Sequence, residues 1–200
     1  RYPVRERLLL GGSASLPLGP RWDLGATLAA DLHHQEIDAR GPDRWGAPLT
    51  PGDSYEKSWD RTATGRLRLT RWLGERATVA LQGQARYTHH RAIEEVAGPE
   101  LTYAQWLAAV ALESEAVPAR DWTVRAGVGW DHAATPEAGQ HEPSEPTDAV
   151  ALNLRVVREL GRDAGLHAAA SRRSRFPSLR EAYSGALGRF VVNPELGPER

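Results

Sequence analysis

The residues able to do chemistry in this sequence fall into small groups, and their spacing decides what each can do. Two histidine doublets stand out, His33-His34 and His89-His90. Imidazole is a common metal ligand, but neighbours on a strand point to opposite faces. A doublet on a strand therefore does not close on one ion, and one member of each is expected to face a lumen or rim. His132 and His141, with Glu137, Glu142 and Glu145, bring together ligand types without the spacing of a cation loop and read as a solvated acidic loop. No metal is assigned to either group. Gly127-Val128-Gly129 lacks the third glycine and following helix of a dinucleotide site, and neither a G-x-S-x-G elbow nor an H-E-x-x-H pair occurs. A triad assembled in space from scattered Ser, His and Asp stays open as a reading, with no motif behind it. No cofactor is implied.

The elements that must position these residues are extended. Trp22, Leu24, Ala26, Leu28, Ala30 and Leu32 alternate with Asp23, Gly25, Thr27, Ala29, Asp31 and His33, the period of a strand with one apolar and one polar face. The pattern returns in eight candidate strands: Val4 to Leu16, from Trp22, Thr62 to Arg71, from Ala77, Thr102 to Ser114, Trp122 to Asp131, from Val150, and Leu166 to Ser171. Short turns alternate with long polar connections, expected over Asp38 to Asp60, His89 to Pro99 and His132 to Thr147. Leu101 to Val117 also fits a helical stripe, but Trp106, Ala108, Val110 and Leu112 on one strand face, between two clear strands, favour sheet. The unit recurs about every fifty residues and sets Trp22, Trp72 and Trp122 beside successive short turns, as a belt of interfacial indoles requires.

Composition narrows the class. With 25 Lys+Arg against 26 Asp+Glu, the chain has no basic excess to draw nucleic acid. Cysteine is absent, which removes disulfides and thiolate chemistry. No apolar run approaches the roughly 20 residues of a membrane helix, which excludes helical spans only. A chain of 200 residues that opens on Arg1 without a leader is expected to be an internal or processed segment. The apolar strand faces carry no charge, whereas a slip of one residue would expose Asp23, Asp31, Arg68, Arg86, Arg125 and Arg155 on them. An Arg at mid-bilayer costs about 2–4 kcal/mol, so the pattern predicts lipid on one side and an aqueous lumen on the other. The lumen wall is expected to comprise Arg66, Arg68, Gln82, Gln84, Arg86, Arg125, Asp131, Asn153 and Arg155.

The last thirty residues carry ordered boxes: Arg175-Phe176-Pro177-Ser178, then Glu181 and Tyr183, then Asn193-Pro194-Glu195-Leu196-Gly197-Pro198-Glu199. The prolines forbid a long helix or central strand, and Ser178 with Glu181 is a capping box for one helical turn. In order and spacing these boxes resemble the barrel domain of TonB-dependent outer-membrane receptors. That resemblance implies an all-β, antiparallel up-and-down transmembrane barrel segment, about eight strands of a 22-stranded barrel, with a plug domain and the C-terminal strands outside the 200 residues. It implies location in a Gram-negative outer membrane and contact with its lipid. It also implies coupling to a TonB-type energising complex through the plug, and uptake of a small metal chelate such as a ferric siderophore, without covalent catalysis. Residues expected above the membrane to meet the ligand are Trp45, Tyr55, Trp59, His89, His90, Arg91, Arg172, Arg173, Arg175 and Tyr183. No histidine lies between Phe176 and Asn193, which counts against haem. Two rival readings stay open: a soluble small barrel with an apolar ligand inside, and an outer-membrane barrel enzyme.

Overall fold

The computed structural model of the chain describes residues 4–38, 55–93, 98–161, 163–183, 193 and 196–199. The alternating stretches form β1 (Val4–Pro17), β2 (Trp22–Asp38), β3 (Tyr55–Trp72), β4 (Ala77–Ile93), β5 (Leu101–Ala116), β6 (Trp122–Ala138), β7 (Ser144–Glu159) and β8 (Gly165–Arg172), followed by the five-residue helix α1 (Leu179–Tyr183). Each strand pairs antiparallel with the next, so the eight make one all-β up-and-down sheet. Leu101–Ala116 is strand throughout, because its apolar parity matches the strands on either side. Glycines with φ of 117°, 87° and 139° sit in three of the short turns, at Gly19, Gly74 and Gly161.

Register sorts the side chains onto two faces. One row of direct partners, Leu16, Leu24, Leu69, Leu81, Leu112, Val128 and Leu152, crosses seven strands. It starts one residue from the end of β1 and reaches β7 seven residues from its end, the stagger needed to bend a sheet toward a barrel. This apolar face is uncovered: Leu28 is 70% and Leu67 58% exposed. A soluble barrel with its leucines packed in the centre requires the reverse. Burial is instead concentrated on the polar face, in a small cluster of Tyr103, Ala138, Leu179, Ala182 and Tyr183.

Three expectations need correction. First, the long connections are shorter than the polar stretches suggested. β3 starts at Tyr55, β4 runs to Ile93, β6 reaches Ala138 and β7 begins at Ser144. These extensions carry polar or charged side chains on both faces and so lose the alternation that marks a strand, yet cross-strand contacts hold them. Lys57 Nζ meets Glu36 Oε1 at 2.7 Å, and Arg91 Nη1 meets Glu100 Oε1 at 3.2 Å. Second, Trp72 does not share a face with Trp22 and Trp122. It pairs with Thr78 in the polar-face register, because its parity in β3 is opposite to that of Leu67 and Leu69. Trp22 and Trp122 do match each other: each lies opposite an arginine whose guanidinium covers its ring, Arg71 at 5.0 Å and Arg158 at 5.2 Å. Third, Arg172 is not in a loop. It ends β8 opposite Leu152 on the apolar-face register, seven residues beyond Gly165, close to the height of Trp130, which stands eight beyond Trp122.

β8 is half as long as β7 and pairs only with its Leu152–Glu159 half. Past Arg172 the chain turns onto the polar face, where α1 rests against β5.

Candidate functional site

The polar face is a wall of fixed charge. The nine residues expected to line a lumen, Arg66, Arg68, Gln82, Gln84, Arg86, Arg125, Asp131, Asn153 and Arg155, all share its register. Neighbouring strands order several of them. Arg68 Nη1 donates to Gln82 Oε1 at 3.1 Å and Glu113 Oε2 at 2.9 Å, Arg66 to Gln84 at 3.3 Å, and Arg125 to Glu115. Arg7 closes a two-pronged contact on Asp31, 2.9 and 2.6 Å. Arg86 and Arg155 have no ion pair among the described residues, which leaves net positive charge directed from the middle of the wall.

Across the wall's far end lies a strap, residues 173–183, and the motif boxes explain its shape. Arg175 exchanges both backbone hydrogen bonds with Glu199, each 3.0 Å. Its guanidinium donates to Glu199 Oε2 at 3.1 Å and Glu181 Oε1 at 2.8 Å. The expected capping box forms: Ser178 N and Oγ donate to Glu181 Oε2 at 2.8 and 3.0 Å, and Glu181 N donates back to Ser178 Oγ at 3.3 Å. The Ser178 backbone N–H, then Arg175, then the Ser178 hydroxyl hold the Glu181 carboxyl down at about 2. Arg175 draws Glu199 downward as well, and the two carboxylates raise Arg175. Arg175, Ser178, Glu181 and Glu199 are thus mutual partners, and the guanidinium is already occupied.

The wall holds the strap through β5. Gln105 Nε2 donates to the Pro177 carbonyl at 2.9 Å. Tyr103 packs on Tyr183 with ring centroids 5.7 Å apart and planes tilted by 41°, and His141 lies 6.2 Å from Tyr183. Gly139 makes room for Tyr103: its φ is 64°, and a Cβ there would fall 2.6 Å from Tyr103 Cζ. Between strap and wall is a cavity of about 540 Å³, lined among others by Gln105, Thr135, His141, Thr147, Phe176 and Asn193. That volume suits a small molecule.

The ten residues expected to meet a ligand are not gathered. Trp45 and Pro194 lie outside the described residues, and Tyr55 opens β3. Trp59, His89 and Arg91 take the apolar-face register beyond Tyr87 and Trp106. There Trp59 stacks on His34 at 5.2 Å, with Lys57 and Arg91 5.1 and 5.0 Å from its ring. His90, Arg175 and Tyr183 are on the polar face, and Arg173 acts on Asp131 across it. Tyr103 and Gln105, which seat the strap, were not among the sequence candidates; their contacts join positions over seventy residues apart, for which no local signal exists.

In fold, the chain is similar to the copper transporter OprC. The TM-score is 0.73 at 17% identity, over 88% of this chain and 33% of that one. The chain thus spans about a third of the transporter's length, and the likeness establishes the fold, an up-and-down wall segment of a larger barrel. No family model matches the sequence, and no curated protein does.

Proposed function

We propose that the chain is part of the barrel wall of a TonB-dependent outer-membrane receptor that imports a scarce nutrient as a small metal chelate. The observation that carries this reading is the opposition of the two faces. One is a leucine wall left bare, and the other is a charged wall on which the R-F-P-S and P-E boxes fold into a strap above a cavity. Bare leucine rows are tolerated where hydrocarbon covers them, and arginines on the opposite face then meet water inside a barrel. Trp22 and Trp122 at one end, with Tyr87, Trp106 and Trp130 at the other, suit two bilayer interfaces.

Location in a Gram-negative outer membrane follows from this reading. So do a plug domain seated against the arginine wall and coupling through it to an energising complex at the inner membrane. The protein binds and passes its solute without breaking covalent bonds. OprC is by name a copper transporter, which favours a metal-containing solute; a ferric siderophore is the form carried over from the motif resemblance. The test is whole-cell uptake by the full-length receptor of radiolabelled ferric siderophore and of copper, with and without the energising partner. Uptake of one of them that collapses when the partner is deleted supports the reading. Uptake of both that is indifferent to the partner refutes it.

A further inference from the structure

The cavity under the strap is set apart by the charges that line it. The wall contributes Gln105 from β5 and Thr135 from β6, each only 7% exposed, and the strap contributes Phe176 and Pro177. Glu142 and Glu145 stand at its rim, both exposed and neither in an ion pair among the described residues. Among those residues no lysine or arginine lines the cavity. The strap's own cation, Arg175, is spent on Glu181 and Glu199.

We infer that this cavity binds a small organic cation, one that carries ammonium N–H donors on a short apolar chain. What the lining has left to offer is chiefly acceptors. Gln105 spends its amide N–H on the Pro177 carbonyl at 2.9 Å, so its Oε1 is the part that remains. A carboxylate only accepts and an ammonium group only donates, so each supplies what the other lacks. The Phe176 ring adds an apolar face whose quadrupole also attracts a cation. An anion of the same size would meet two carboxylates and no free guanidinium.

Two oxygens on buried residues mark this space as a built site. Among the described residues, the side-chain polar atoms sealed from solvent without a partner are His34 Nε2 and the Tyr183 hydroxyl. The Thr135 hydroxyl and Gln105 Oε1 also lack a partner among those residues, yet they are not sealed, so they open onto the cavity that they line. Each of these oxygens calls for a donor, and one ammonium group brings three. The imidazole of the lining, His141, is engaged with the Tyr183 ring at 6.2 Å. The inference stands apart from the transport reading, since binding is measured on purified protein and uptake is not, so either can fail alone.

The test is calorimetric titration of three compounds into the full-length protein in detergent: spermidine as the cation, citrate as the anion and triethylene glycol as a neutral chain. Spermidine is expected to bind at a single site, more weakly as salt rises because the rim carboxylates are exposed, and the other two to give no binding. Thr135→Val, which keeps the shape and removes the hydroxyl, should weaken spermidine about tenfold, the worth of one hydrogen bond to a charged group. Glu142→Gln combined with Glu145→Gln should weaken it by about tenfold or more and flatten the salt dependence. Glu159→Gln, at the other end of β7, should leave affinity within about twofold. Spermidine binding unchanged in the double variant overturns the inference even if Thr135→Val fails to fold, and so does equal loss in Glu159→Gln. Binding of citrate or triethylene glycol that Thr135→Val weakens overturns it as well, since the cavity would then take another class of ligand.

Discussion

Arg175 and Glu199 are joined twice, by a pair of backbone hydrogen bonds of 3.0 Å each and by a side-chain contact of 3.1 Å from Nε to Oε2. The same guanidinium also holds Glu181, so one arginine ties the entry of the strap both to its helix and to the returning chain.

Arg175→Ala should therefore release the strap without undoing the sheet. The full-length protein is expected to keep the heat-modifiable gel migration of a folded barrel while 173–183 becomes open to protease. Arg175→Lys should rescue little, because one ammonium cannot reproduce the fork that serves two carboxylates. Protection of the strap in Arg175→Ala equal to wild type would rule out this role.

The pH dependence of the strap has a definite sign. Glu181 is held at about 2, below its ordinary value of 4.5. A depressed carboxyl adds stability that is present above the ordinary value and disappears as pH falls through the depressed one. Pepsin cleavage within the strap should stay slow at pH 4 and accelerate as pH approaches 2. Glu181→Gln should cleave quickly across the whole range.

Gly139 is needed both for its left-handed backbone and for the ring above it. Gly139→Ala is expected to cost about 1–2 kcal/mol from backbone strain alone, plus displacement of Tyr103. Faster amide exchange should appear at 139–143 and in α1 together, since Tyr103 connects them.

The bare face supplies the sharpest check of membrane placement. Leu67→Arg should impair folding into vesicles by about 2–4 kcal/mol, while Gln84→Arg on the polar face should be close to neutral. Equal effects at the two positions would mean that the leucine rows do not meet hydrocarbon.

Much of this fold is legible in the sequence alone. Alternation located the strands because one face of each is apolar, and the turns were marked by Gly19, Gly74 and Gly161. The capping box was legible because Ser178 and Glu181 lie three apart. Strand ends were not, since from Tyr55 to Asp60 and from His89 to Arg91 both faces carry polar side chains and period two vanishes. Trp72 shows a different failure: its depth follows from the turn, but its face follows from parity, and only the second decides what it meets. The row in which His33 and His90 each meet one carboxylate oxygen of Asp60 was hidden because it exists only once the registers of β2, β3 and β4 are known. The strap's resting place was hidden for the same reason, as Gln105 and Pro177 meet through no local pattern.

The shortness of β8 leaves a step in the parapet. Beside it, the upper half of β7, from Ser144 to Ala151, rises past the last paired residue of its neighbour. Eight residues at about 3.3 Å each make a drop of about 26 Å along the strand. The cavity draws Ser144, Glu145 and Thr147 from that same stretch, so the pocket sits beside the step that β8 leaves.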